Sequence, residues 1–267
     1  MYKSHELPPW ARYNHVVSGY RFPNITKLEC VKSILQGCNE SVNAITMVVA
    51  AFISCGLYVY ALHNYCKTWF DVTVYSAFLA SCLIHAPFSI AFHTFRCISK
   101  EQKDYWRNLD ISFVLIASVF LTFALSAFVF STQITLALTA LSGIVACVGI
   151  HIITTMHHTF HDASKTYKYT IVGCVIIPIL IYLIPMVFSM NKWAALTIGA
   201  LLCGLFVYVA AIPERLSPGT FDSFGHSHNI MHMCLIVAHV GEFLFMQREK
   251  SGLDFSIKTI KQQITHG

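Results

Sequence analysis

Long apolar runs separated by short polar segments dominate the chain. Seven runs of about 20 residues each, mostly free of charge, lie near 45–63, 72–94, 109–131, 134–154, 169–189, 193–212 and 228–247. A helix of this length crosses the hydrocarbon core of a bilayer. The runs are continuously apolar instead of alternating, which argues against the strands of a membrane β-barrel. The pattern predicts an all-α fold, a bundle of seven transmembrane helices.

The polar segment before the first run carries a weaker helical pattern. Four apolar residues between positions 25 and 37 share one helical face: Leu28, Val31, Ile34 and Leu35. We expect a short amphipathic helix that either lies on the membrane surface or packs against the underside of the bundle. The predicted organisation is an N-terminal arm with this surface helix, a seven-helix membrane domain and a tail, over 1–43, 44–247 and 248–267.

Composition and charge agree with a membrane location. Of the 267 residues 55% are hydrophobic and 12% are charged, and the mean hydropathy is +0.59, values outside the range of a soluble domain. Lys and Arg accumulate in the segments that share one side of the membrane if the N-terminus is cytosolic. The positive-inside rule therefore predicts a cytosolic N-terminus and an extracellular or lumenal C-terminus, although the basic tail disagrees.

Two histidines at the start of the last run are the first candidates for chemistry. His228 and His232 are four residues apart, so both rings lie on one face of a helix. Two imidazoles make an incomplete site, because zinc normally takes at least three protein ligands. Ser89 and His93 lie at the same predicted depth near the end of the second run, and Asp110 at the start of the third. One topology thus brings a serine, an acid and three imidazoles to one side of the membrane.

Several interpretations of these polar residues stay open. Three imidazoles and one water would give zinc an open catalytic site, in which Asp110 orients the water or accepts a hydrogen bond from an imidazole. The histidines can instead bond across helices as structural groups. Asp110 can also be a first-turn acid that interacts with the helix dipole. A di-iron desaturase site is disfavoured because there are too few histidine boxes.

Other polar residues are predicted to be structural. His239 and Glu242 lie too far along the helix from His232 to bind the same ion, and we expect a polar pair. The dense cluster after the fourth run is expected to be a solvated loop: His157, His158 and His161. For His226, beside the last histidine pair, the sequence predicts no role.

Short motifs spread over the chain resemble those of a known family. They are Ser18-Gly-Tyr-Arg21, Cys38-Asn-Glu-Ser-Val-Asn43, Ser89-Ile-Ala-Phe-His93, Leu109-Asp110, Ile212-Pro-Glu-Arg215, Pro218-Gly219, Phe221-Asp222 and Ser227-His-Asn-Ile-Met-His232. The family is that of the progestin and adipoQ receptors, seven-helix membrane proteins with relatives among alkaline ceramidases and haemolysin-III-like proteins. The short arm looks more like the short, ceramide-linked members, the fourth among them, than like the adiponectin receptors.

The resemblance implies an intramembrane zinc site and a lipid partner. By that resemblance His93, His228 and His232 bind Zn2+, and Asp110 and Ser89 act in catalysis. The implied function is zinc-dependent hydrolysis of ceramide-like lipid amides coupled to lipid signalling. The alternative is a receptor of steroid, progestin or adiponectin type with a structural zinc. We expect membrane lipids, ceramide-like or steroid, as partners, no nucleic acid, and a Golgi or plasma-membrane location; a homo-oligomer stays open.

Overall fold

The computed structural model describes the backbone of residues 1–156 and 165–266, and the side chains of 1–155 and 169–255. Eight α-helices lie in this part of the chain: α1 (Lys27–Leu35), α2 (Ser41–Asn64), α3 (Trp69–Phe95), α4 (Lys100–Ser126), α5 (Thr132–Met156), α6 (Lys165–Phe188), α7 (Lys192–Ala210) and α8 (Ser227–His266). Seven of them, α2 to α8, are long and apolar enough to cross a membrane. The predicted all-α bundle of seven spans is confirmed.

The helices pack in a closed order around the bundle. α3 packs on α2 and α4, α4 packs on α5 and α6, and α8 packs on α7 and returns to α2. A large aromatic core, which includes Tyr75, Phe78 and Phe243, fills the half of the bundle formed by the start of α3 and the later turns of α8. The end of α3 and the start of α8 therefore meet at the opposite end, where His93, His228 and His232 lie.

The short helix α1 forms as predicted and packs on the bundle with one face. Thr26 caps it, accepting a hydrogen bond from the amide of Glu29, whose carboxylate bonds back to the amide of Thr26. Within the predicted apolar face Ile34 is buried, whereas Leu28, Val31 and Leu35 remain exposed. α1 thus contacts the bundle and also presents an apolar face away from it.

One helix starts earlier than the sequence predicts. α4 begins at Lys100, because Ser99 is its N-cap and accepts a hydrogen bond from the amide of Gln102. From its charge and its place between the second and third apolar runs, the segment 96–108 is expected to be a loop. That prediction is wrong, because the segment is largely the beginning of this helix. Asp110 lies beyond the first turn of α4, so the interpretation of Asp110 as a first-turn acid is also wrong.

The last helix continues well past the apolar run that ends near residue 247, through most of the predicted tail. Lys250, 6% exposed, lies 2.7 Å from the carboxylate of Asp71, 1% exposed, at the start of α3. Asp254 also binds Lys250 at 3.1 Å. This buried ion pair joins α8 to α3 at the end remote from the histidines.

We predict that Lys250→Met lowers the free energy of unfolding by about 3 kcal/mol, because it leaves the Asp71 carboxylate buried without its cation. Denaturant titration in detergent measures this change. The matched control is Lys67→Met, which removes the more exposed partner of Asp254 and should cost less than about 1 kcal/mol. Equal effects of the two substitutions would contradict the prediction.

Candidate functional site: a three-histidine centre

Three imidazoles from two helices meet at one end of the bundle. His93 is in the last turn of α3, and His228 and His232 lie one turn apart at the start of α8. One ring nitrogen of each lies within 4.8 Å of the others. The ring centroids are 5.0, 5.1 and 5.1 Å apart. The structure thus brings together the three histidines that the sequence selects.

A buried carboxylate fixes the ring of His93. Its Nδ1 lies 2.8 Å from Oε2 of Glu40, and the two side chains are 1% and 3% exposed. Because an ionised carboxylate only accepts hydrogen bonds, Nδ1 carries the proton and Nε2 keeps its lone pair. Carboxylates in this position hold the tautomer and the orientation of metal-binding imidazoles.

Glu40 is itself held by further polar neighbours. Its Oε1 accepts a hydrogen bond from Nη1 of Arg96 at 2.8 Å, and its Oε2 accepts one from Nδ2 of Asn43 at 3.1 Å. Burial alone would raise the pKa of the Glu40 carboxyl, but the hydrogen bond and charge of His93 and the charge of Arg21 hold it below its usual value. Burial lowers the pKa of Arg96 to about 10, so its guanidinium stays charged at neutral pH.

Thr46 of α2 orients the ring of His232. Nδ1 of His232 lies 3.3 Å from Oγ1 of Thr46, and the hydroxyl of Thr46 donates to the carbonyl of Asn43 at 2.8 Å. Since the hydroxyl hydrogen is already used, Oγ1 accepts from Nδ1–H, and Nε2 of His232 keeps its lone pair. The start of α2 thus orients two of the three imidazoles.

His228 is the partly exposed member of the group, whereas the other two histidines are buried. Its ring packs edge-on against Tyr208 of α7 and Tyr13 of the arm, with centroids 5.2 and 6.1 Å away. Its Nδ1 is buried and has no hydrogen-bond partner among the described residues. A buried polar atom without a partner is unfavourable, and a ligand at this ring would remove that cost.

Polar contacts from two directions fix the start of α8. Glu214, in the connection from α7, accepts hydrogen bonds from the amide of Ser227 at 2.7 Å and from its hydroxyl. A negative charge is favourable at a helix N-terminus. On the bundle side, Nδ2 of Asn229 donates to Oδ1 of Asn43 at 2.7 Å. Together these contacts set the rotation of α8 and hence the direction of its histidines.

The N-terminal arm is tied to the same end of the bundle. The carboxylate of Asp222 accepts hydrogen bonds from the amide of Val17 at 2.9 Å and from the amide and hydroxyl of Ser18, both at 2.7 Å. Arg21 donates to carbonyls at the end of α3, that of His93 among them at 2.7 Å, where a cation is favourable. Motifs that are distant in the sequence therefore contact each other in the folded protein.

The two predicted catalytic residues lie on neighbouring helices. Ser89 is buried on α3, one turn before His93. Asp110 of α4 lies near enough to His93 and His232 to interact with both electrostatically. Its Oδ1, however, is 2.9 Å from Nε2 of His85. The acid that holds a ring of the three-histidine group is thus Glu40, and Asp110 pairs with a different imidazole.

The sequence interpretation assigned no role to Glu40 or His85. Glu40 precedes the first span and belongs to one of the motifs of the family resemblance, which is the signal that could have found it. His85 lies two turns before His93, on the same face of α3. That spacing predicts the side of the bundle on which His85 lies, although it does not predict its partner.

The remaining candidates have other partners. His226 is buried, with Nε2 3.0 Å from the carbonyl oxygen of Asn39. His239 lies 3.1 Å from Glu242, the expected polar pair, and 2.8 Å from the hydroxyl of Ser54. The predicted loop histidines lie outside the described residues: His157, His158 and His161.

The three imidazoles fit a zinc ion by their chemistry. Three histidine nitrogens with a fourth position for water are a known ligand set of catalytic zinc. At zinc–nitrogen distances of about 2.0–2.1 Å, tetrahedral ligand nitrogens are about 3.3 Å apart, a small side-chain adjustment from a group within 4.8 Å. In two rings Nδ1 carries the proton and Nε2 keeps its lone pair, and the third has a buried nitrogen without a hydrogen-bond partner among the described residues.

Comparison with known proteins agrees with this architecture. The profile of the haemolysin-III-related family matches residues 35–243. The chain is 27% identical to membrane progestin receptor gamma of Mus musculus, over 89% of this chain and 78% of that protein. The human protein of the same name is 27% identical, over 97% and 81%. The adiponectin receptor protein of Drosophila melanogaster is 27% identical, over 87% and 55%.

The matched region begins before α2 and ends within α8, so it contains the whole three-histidine centre together with Glu40. A match of this extent decides the family. The chain belongs to the haemolysin-III-related family, that of the progestin and adipoQ receptors.

Proposed function

We propose that His93, His228 and His232 hold a zinc ion and that the protein hydrolyses the amide bond of a ceramide-like membrane lipid, coupled to lipid signalling. The observation that supports this most is the convergence of three ring nitrogens within 4.8 Å. The surrounding bundle is apolar and suits a substrate with long hydrocarbon chains. We place the protein in the Golgi or plasma membrane, with the N-terminus in the cytosol.

Each side chain of the site has a role in this proposal. Zinc bound there would polarise the amide carbonyl and lower the pKa of a water ligand toward about 7. Asp110 accepts a proton from the attacking water and passes it to the leaving nitrogen. Ser89 donates its hydroxyl hydrogen to the oxygen on which negative charge develops. Substrate approaches from the side of His228, the partly exposed histidine.

A second function, that of a steroid or lipid receptor, is favoured by the similarity to membrane progestin receptor gamma. In that case zinc is structural and joins α3 to α8, and ligand binding shifts the bundle. The same histidines hold the ion in both proposals. Asp110 separates them, because proton transfer needs its carboxylate and a structural ion does not.

We expect about one zinc per purified chain, and we expect His93→Ala, His228→Ala and His232→Ala each to remove most of it. Elemental mass spectrometry measures the content, and circular dichroism checks the helices. His239→Ala, on the same helix but with its own partners, is the control that keeps zinc. A folded wild-type protein that binds no added zinc would refute the metal site.

Glu40→Gln should weaken zinc binding by about 10- to 100-fold, because the charged partner that orients His93 is lost. Competition with a chelator of known affinity measures the change. Glu29→Gln, an exposed acid of α1, is the matched control and should leave the affinity unchanged. If Glu40→Gln binds zinc as tightly as the wild type, Glu40 does not support the ligand.

Asp110→Asn should reduce ceramide hydrolysis by about 10²- to 10⁴-fold, because the group that accepts the water proton is removed, while zinc content stays at the wild-type level. Mass spectrometry of the released fatty acid gives the rate. Asp254→Asn, at the remote end of α8, is the control. Loss of hydrolysis in Asp110→Asn supports the enzyme. The receptor is supported if the wild-type protein does not hydrolyse ceramide and Asp110→Asn still responds normally to ligand.

A further inference from the structure

A fourth imidazole lies beside the proposed zinc centre and outside its ligand set. His85 is in α3, on the face that also carries Ser89 and His93. Its Nε2 lies 2.9 Å from Oδ1 of Asp110, and each of the two side chains is 17% exposed. Little water therefore competes for this hydrogen bond. The motif Ser89-Ile-Ala-Phe-His93 begins after His85 and does not include it.

Two acids bind the two imidazoles of α3 through different ring nitrogens. His93 donates Nδ1–H to Glu40 and so keeps Nε2 for a metal. His85 donates Nε2–H to Asp110, so its Nε2 is occupied and does not serve as a ligand. The same residue type on the same helix face therefore has two roles, which are decided by the acid opposite each ring.

Asp110 needs such a partner in order to act on one water molecule. The terminal torsion of an aspartate is broad, so a carboxylate without a directional contact samples many orientations. A hydrogen bond to Oδ1 restricts that rotation and leaves Oδ2 as the oxygen that can accept another proton. The same bond also offsets part of the cost of a carboxylate within a membrane-spanning bundle.

We propose that His85 is a positioning residue that acts through Asp110. Its Nε2–H fixes the carboxylate so that Oδ2 faces the attacking water. This inference rests on the proposed amide hydrolysis. As the water oxygen bonds to the carbonyl carbon, Oδ2 of Asp110 takes the water proton. As the carbon–nitrogen bond breaks, that proton passes to the nitrogen, and His85 keeps its own proton throughout.

The test compares His85→Gln, whose side-chain amide can still donate to Asp110, with His85→Leu, which has similar bulk and no donor. Both variants should keep about one zinc per chain. The leucine variant should lose about 10- to 100-fold in kcat at unchanged KM, because the reacting group is misplaced, and the glutamine variant should stay within a few-fold. His151→Leu, an exposed histidine of α5, is the matched control and should behave as wild type.

A double-substitution cycle shows whether His85 acts through Asp110. In the Asp110→Asn protein, His85→Leu should cause no further loss of rate, because the group that it positions is already gone. Additive losses would overturn the proposal, as would loss of zinc in His85→Leu, which would make His85 part of the metal site. An unchanged rate in His85→Leu would overturn it as well.

A cobalt-substituted protein gives a readout that does not need turnover. The absorption spectrum of cobalt reports the surroundings of the ion, including the water position. We expect His85→Leu to reproduce the spectrum of Asp110→Asn, and His85→Gln to keep that of the wild type. If the wild type binds cobalt but hydrolyses no amide, the proposed reaction is refuted. If His85→Leu then also shows the wild-type spectrum, the positioning role of His85 is refuted as well. A wild type that binds no metal refutes both.

Discussion

The buried charge of Glu40 is the constraint on which the three-histidine centre depends. A carboxylate in an apolar bundle is tolerated only when it is paired and hydrogen-bonded. Glu40, 2% exposed, meets that requirement with His93 and Arg96 from the end of α3 and with Asn43 from α2. Satisfying one charge therefore fixes the register of two helices. Because Asn43 also binds Asn229, α8 is joined to the same network.

The loops extend this network and hold the helix ends that carry the three histidines. Glu214 anchors the first turn of α8 through Ser227, and Asp222 anchors the arm through Ser18. Ligands that are held in place lose less conformational entropy on binding, which increases affinity. The motifs that resemble the progestin and adipoQ receptors thus include pairs of hydrogen-bond partners that lie far apart in the sequence. Together these hydrogen bonds position the end of α3 and the start of α8 against each other.

The sequence predicts the parts of this structure that depend on hydrophobicity and leaves open those that depend on side-chain pairing. Seven apolar runs predict seven spans, and their depths place Ser89, His93 and the histidines of α8 at one end. The hydropathy pattern does not predict the start of α4, because its first turns are charged. It also does not predict the last turns of α8, where Lys250 pairs with Asp71. The predicted depth of a residue in the membrane does not show which acid binds which imidazole. That Glu40 binds His93 and Asp110 binds His85 depends on how the helices are rotated about their axes.

The pair formed by Asp110 and His85 bears on the choice between an enzyme and a receptor. A structural zinc that joins α3 to α8 needs three histidines and the groups that orient them, which Glu40 and Thr46 supply. It has no use for a further carboxylate and imidazole within the bundle, and ionisable groups in membrane spans are costly. Asp110 and His85 lie 2.9 Å apart, close enough to the histidines to influence them electrostatically. In the proposed hydrolysis this pair would serve proton transfer to and from the amide, which a purely structural ion does not require.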